Sequence, residues 1–174
     1  MDLNFSYLKF ALVILPIFCL ASPVMAQEQI RGEILEFGIY QFVGEQATIS
    51  APETAAGKAT SSNATFVKTT DQIPLVKGLT FGFKWSATGF PEKDSIELVH
   101  ILEHPLLKLP NGGYSSISRE SYQYKPVNSS ITHTEGYTFT YDYELIEGQY
   151  KFSVLYNNTP FITKTFTVSK KSSP

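Results

Sequence analysis

YTFTYDYELIEGQYKFSVLYNNTPFITKTFTV, Tyr137 to Val168, alternates apolar and polar side chains in three runs. In the first, Tyr137, Phe139, Tyr141, Tyr143 and Leu145 share one parity, and Thr138, Thr140, Asp142 and Glu144 share the other. After Ile146-Glu147-Gly148 the pattern resumes as Tyr150, Phe152, Val154 and Tyr156. A third run, Phe161 to Val168, follows Asn157-Asn158-Thr159-Pro160. Successive strand side chains point to opposite faces, so a period of two over this length predicts half-buried antiparallel strands. The turn Leu145-Ile146-Glu147-Gly148-Gln149-Tyr150 has the spacing of a tyrosine corner, where a tyrosine at a strand start hydrogen-bonds back to backbone just upstream. Gly148 and Tyr150 are therefore expected to be structural; the plainer reading makes Tyr150 only the first core residue of its strand.

Working outward, Leu79, Phe81, Phe83, Trp85 and Ala87 alternate with Thr80, Gly82, Lys84 and Ser86, which marks Trp85 as a core residue. Ser95 to Glu103 is apolar on both parities and reads as a central strand, stopped at His104-Pro105 because proline cannot donate to a ladder. Glu33 to Val43 is also apolar on both parities, as in a strand covered on both faces or one that crosses between sheets with Gly38 at the bend. Asn63 to Thr70 and Ser121 to Val127 are further strands. Gln72 to Gly78 reads as a turn, Leu106 to Ser118 as a long irregular connection, Asn128 to Glu135 as a loop and Ala51 to Ser62 as a mobile loop. Short strands with turns about every ten residues and no helical period predict an all-β, two-sheet antiparallel β-sandwich of Greek-key type, with a closed barrel as the alternative.

The first residues stand apart. Lys9, the apolar run Ala11 to Leu20 broken by Pro16, and Val24-Met25-Ala26 form a secretory signal peptide, residues 1–26, cleaved after Ala26. The apolar run is too short for a membrane span, and Phe18 before Cys19 is too large for lipoprotein processing. Residues 27–174 remain as one domain, long enough to bury about two-thirds of its unfolded surface. Cys19 is the sole cysteine, so this domain has no disulfides and rests on its apolar core. The net charge is −2, and the excised segment takes away one acid, Asp2, and one base, Lys9. Without a basic stripe, nucleic acid is not an expected partner.

Several local signatures carry a family likeness. They are Thr69-Thr70-Asp71-x-Ile73-Pro74, Gly78-x-x-Phe81-Gly82-Phe83, His104-Pro105, Gly136-Tyr137, Tyr143-Glu144-Leu145-x-x-Gly148-x-Tyr150-x-Phe152 and Phe166-Thr167-Val168. Over Gly32 to Val168 the chain resembles a family of secreted bacterial proteins catalogued as a domain of unknown function and predicted to be immunoglobulin-like. Tyr150 stands where that family is expected to carry a tryptophan. The resemblance implies an immunoglobulin-like sandwich in the bacterial periplasm and brings no catalytic residues.

Candidate chemistry is sparse. His100 and His104, with Glu97 and Glu103 nearby, suggest a metal site. On one strand the two imidazoles stand roughly 13 Å apart, which prevents shared coordination without a sharp bend. Gly113-Tyr114-Ser115-Ser116-Ile117 lacks the second glycine of a nucleophile elbow. Asp142 and Glu144, two apart on one polar strand face, could serve a hydrolase acting on sugars, but on an outward face such a pair solvates the strand. The ten Tyr and thirteen Phe are mostly core material. Tyr114, Tyr122 and Tyr124 flank the long connection and are expected to be the exposed ones; with His104 they are the candidate ligand contacts.

These residues predict no catalytic group, cofactor or metal. The expected function is a binding or accessory module of the cell envelope, meeting a protein or glycan through loops or a sheet edge. A structural subunit pairing through a free edge at Phe161 to Val168 is the alternative, with Lys164 guarding that edge or marking a bulge. A hydrolase using Asp142 and Glu144 is the third.

Overall fold

Period-two aromatic strands close face to face around Phe81. In the computed structural model, which describes residues 29–50 and 58–170, this ring lies 5.2–5.9 Å from the rings of Phe139, Tyr150, Phe152 and Phe166. Most of these contacts are edge-to-face, the geometry that aromatic quadrupoles favour, at about 0.5–1.5 kcal/mol each beyond burial. Phe83, Trp85, Leu98, Val154 and Phe166 are also sealed from solvent. The signal-peptide expectation lies outside the described residues.

Among the described residues the strands are β1 Arg31–Ser50, β2 Lys58–Thr69, β3 Gln72–Pro74, β4 Thr80–Thr88, β5 Ile96–Lys108, β6 Tyr114–Tyr124, β7 Ser130–Thr138, β8 Gly148–Tyr156 and β9 Thr159–Ser169. One sheet has the order β2-β1-β4-β7 and the other β3-β9-β8-β5-β6, giving an immunoglobulin-like sandwich. Pairing is antiparallel except where β3 runs parallel to β9. Two tight turns fix register. Asn157 and Asn158, with φ 49° and 61°, join β8 to β9, and Asn128 and Ser129, with φ 52° and 55°, precede β7. Positive φ at both central positions is the type I′ arrangement that matches strand twist.

Several expectations about boundaries need correction. Tyr137 to Leu145 is not one strand: β7 ends at Thr138, and Asp142–Glu144 is a 3₁₀ turn. The expected loop Asn128 to Glu135 is mostly β7, because the chain reverses at Asn128-Ser129 alone. His104-Pro105 does not stop β5; a register shift between Glu103 and Leu107 absorbs the proline, and the expected connection Leu106 to Ser118 shrinks to the turn 109–113. Of the expected mobile loop, residues 51–57 lie outside the described residues and 58–62 belong to β2. Ile34 and Leu35, which a strand covered on both faces would bury, are 37% and 48% exposed. β9 is no free edge over its whole length: Thr167–Ser169 pairs with β3. Lys164 marks no bulge, since that shift falls at Phe161; its ammonium sits 3.6 Å above the Phe37 ring of the other sheet.

β1 outruns the sandwich. It pairs with β4 only from Arg31 to Tyr40, while Gln41 to Ser50 continues with β2 alone, from Gln41 opposite Thr65 to Ser50 opposite Lys58. The result is a two-stranded ribbon extending roughly 30 Å past the four-stranded sheet, at about 3.3 Å per residue. Gly38 lies just before the ribbon, where β1 is still flanked by Thr69 and Gly82. Its φ is +141°, and a side chain there would meet the Lys68 carbonyl oxygen at 1.9 Å.

Candidate functional site

Strand parity turns Trp85 of β4 and His100 of β5 toward each other across the sandwich. Trp85 pairs directly with His133 of β7, and His100 pairs directly with Glu120 of β6. The His100 ring lies 5.7 Å from His133 and 6.5 Å from Trp85. Its Nδ1 bonds the Glu135 carboxylate of β7, and its Nε2 lies 3.2 Å from the Tyr124 hydroxyl of β6. Tyr124 stacks on it at 5.8 Å and Tyr122 meets it edge-on at 5.1 Å. One imidazole, 5% exposed, thus ties together β5, β6 and β7. Since β6 and β7 are the edge strands of the two sheets, the cluster closes one side of the sandwich.

Its charges are unevenly balanced. Burial pushes the Glu120 carboxyl up to about 7, the Glu135 charge adds to this and His100 opposes it. Burial holds His133 below the ordinary imidazole range, against the pull of Glu135. The Tyr124 phenol is held well above its usual range by burial, then by Glu135 and Glu120. Trp85 Nε1 is buried here without a hydrogen-bond partner. The covered His100 imidazole links β5, β6 and β7.

A second buried polar group lies at the Tyr150 turn. The Tyr150 hydroxyl is positioned to donate to the carbonyls of Ile146 at 3.1 Å and Glu144 at 3.3 Å, the geometry of a tyrosine corner. Glu144, 1% exposed, accepts the backbone N–H groups of Thr140 at 2.6 Å and Tyr141 at 2.7 Å. Gly148 has φ +143°, and a Cβ there would meet Pro105 Cγ at 2.7 Å.

The other sequence candidates are dispersed. Asp142 is 83% exposed and paired with Lys77, whereas Glu144 is buried, so these carboxylates share no strand face and the proposed hydrolase pair is not assembled. His104 is 6% exposed; its Nδ1 bonds the Pro105 carbonyl and its ring stacks on Tyr150. Tyr122 and Tyr124 are half-buried around His100 and do not form an exposed platform. Tyr114 is exposed but sits eight residues further along β6, roughly 26 Å away. Sequence reading missed Glu120, His133 and Glu135. Extending the parity of Tyr137 backward through Glu135, His133 and Ile131 would have found the last two.

Among the described residues no group of three or more His, Cys, Asp or Glu is placed to hold a metal ion. Nor is any helix there long and apolar enough to cross a membrane. A shallow cleft of about 370 Å³, lined by Lys93, Glu97, Tyr156, Asn157 and Asn158 among others, shares no residue with the cluster.

The family described as Domain of unknown function (DUF3859) matches residues 28–168. An immunoglobulin-like protein from Pseudomonas aeruginosa superposes with a TM-score of 0.56 at 21% identity, covering 83% of this chain and 99% of that one. This is a likeness of fold. The alkylpurine DNA glycosylase AlkC of Pseudomonas fluorescens reaches a TM-score of only 0.37 at 10% identity, over 56% of this chain and 27% of its own, too little to argue from. No curated protein matches.

Proposed function

This chain belongs to the DUF3859 family, and on that footing we propose that it is a non-catalytic binding or accessory module, exported to the cell envelope, that takes a partner's strand on its β1–β2 ribbon. The observation carrying this reading is the ribbon itself. Beyond Tyr40, β1 has lost β4, so among the described residues Gln41 to Ser50 offers an unpaired edge on one side, and β2 offers another on the opposite side. A two-stranded hairpin alone is marginal in water, so a third strand stabilises it. Natural edges are blunted by charge and proline. Here Gln41 to Ser50 and Lys58 to Thr65 contain only Glu45 and Lys58 as charged residues and no proline. Main-chain pairing would supply affinity without a deep pocket. Export is supported by the sequence of residues 1–26.

The test shortens the ribbon. Gln41 and Thr65 are direct partners, so Asn-Gly can replace residues 42–64 as a type I′ turn. We expect this variant to unfold within a few degrees of the parent and to lose the envelope protein cross-linked by the parent. Equal capture by both chains, or none by either, refutes the reading. N-terminal sequencing of protein recovered from cells checks export and should begin at Gln27.

A further inference from the structure

We propose that His100, Glu120, Tyr124 and Glu135 form an acid-closed latch between edge strands β6 and β7, shut in mildly acidic surroundings and loosened in alkaline ones. The latch is geometric first. His100 stands on β5, yet its two ring nitrogens reach Glu135 of β7 in the opposite sheet and Tyr124 of β6 in its own. Both bonds survive a change of imidazole protonation: Nδ1–H serves Glu135 in either form, and the Tyr124 hydroxyl donates to or accepts from Nε2 as required. The imidazole is therefore the fixed part of the device.

The movable charge is Glu120, directly opposite His100 in the β5–β6 ladder. The groups facing His100 can be taken strand by strand. β4 contributes Trp85, which carries no charge; β6 contributes Glu120, Tyr122 and Tyr124; β7 contributes His133 and Glu135. Arg119 falls on the other parity of β6 and is exposed. Burial holds His133 below the ordinary imidazole range, and the imidazole that bonds a carboxylate here is His100, through Nδ1 to Glu135. With Glu120 protonated, one carboxylate meets one imidazole. Once Glu120 ionises, its charge faces that of Glu135, and like charges in a half-dry site repel. Glu135 is fixed on β7 and Glu120 on β6, so the repulsion acts across the seam and drives the edge strands apart. The transition falls near pH 7, in the range where Glu120 loses its proton. A chain exported as proposed above meets external pH directly.

Two measurements on the intact protein test this. Carboxyl-carbon NMR on labelled wild type should show Glu120 titrating near pH 7, with its midpoint falling when Glu135 is changed to Gln. Amide exchange, corrected for intrinsic rates, should show β6 protection at least tenfold lower at pH 8 than at pH 6, and Glu120→Gln should abolish that change. An ordinary glutamate titration of Glu120, or an equal loss of protection in Glu120→Gln, overturns the proposal. The NMR titration is read on wild type and so stands even if a variant folds poorly.

Discussion

Glu144→Ala removes a carboxylate that is 1% exposed and accepts the N–H groups of Thr140 and Tyr141 at 2.6 and 2.7 Å. Hydrogen bonds to a charged acceptor contribute about 1.5–3 kcal/mol each. Thr140 and Tyr141 are themselves exposed, so water can recover part of that loss. Removing the buried methylene of the side chain adds about 0.8 kcal/mol. We expect a total of about 3–4 kcal/mol, against about 1–2 for Glu144→Gln, whose amide oxygen still accepts but without charge. At about 2–4 °C per kcal/mol for a domain of this size, alanine should lower Tm by roughly 6–16 °C. The assay is urea unfolding followed through Trp85, the only tryptophan, which is fully buried when folded. The m-value should be unchanged. A cost below about 1 kcal/mol for alanine, or equal costs for alanine and glutamine, would refute the reasoning, because the carboxylate's charge and bonds would then contribute nothing.

Four further outcomes can be checked with the same unfolding assay. Tyr150→Phe keeps the ring contacts with Phe81 and Phe139 but loses the donor to Ile146 and Glu144, and should cost about 1–2 kcal/mol. Gly148→Ala combines φ +143° with a 2.7 Å approach to Pro105 and should cost about 2–3 kcal/mol, whereas Gly112→Ala, with φ +86° and no atom within 4 Å, should cost only about 1. The folded-state carboxyl of Glu120 is raised, so its stabilising contribution is complete below the ordinary carboxylate range and is lost as pH rises through about 7. Glu120→Gln should therefore gain on wild type as pH increases, by about 1–2 kcal/mol at alkaline pH once solvent screening of the half-buried group is allowed for. His104 and His133 act in the opposite sense: both are held low by burial, so their contribution is lost on acidification, and that acid limb should persist in Glu120→Gln.

Parity was informative wherever a strand stayed regular. Leu79 to Ala87 showed period two in the sequence, and Phe81, Phe83, Trp85 and Ala87 are all buried. It misled where the chain turned without changing composition. Tyr141 and Tyr143 continue the alternation of Tyr137 and Phe139, yet the backbone has already left β7 and coils back so that Glu144 can cap Thr140 and Tyr141. A local pattern of apolar and polar residues cannot distinguish a strand from a turn that keeps the same spacing. Proline misleads in the other direction: Pro105 reads as a stop, but a bulge places it where no ladder donor is needed and β5 runs on to Lys108.

The polar cluster was hidden for a different reason. Its central bond joins residues 35 apart, on strands of different sheets, and nothing local to His100 specifies Glu135. The sequence did place His100 in a strand, and that strand has apolar neighbours on both parities, so its imidazole had to be buried or mispaired. A buried polar ring needs partners for both nitrogens. On its own strand the carboxylates Glu97 and Glu103 sit on the opposite parity and point away from the interior. The partners must then come from another strand that is inward-facing and polar. Only a run that alternates yet carries acid or imidazole on its apolar parity qualifies, and Ile131-x-His133-x-Glu135-x-Tyr137 is such a run. A loop over Asn128 to Glu135 would hide that pairing, whereas β7 provides it. Polar residues on the inward parity of a strand are therefore better treated as halves of pairs across the sandwich than as evidence that the strand has ended.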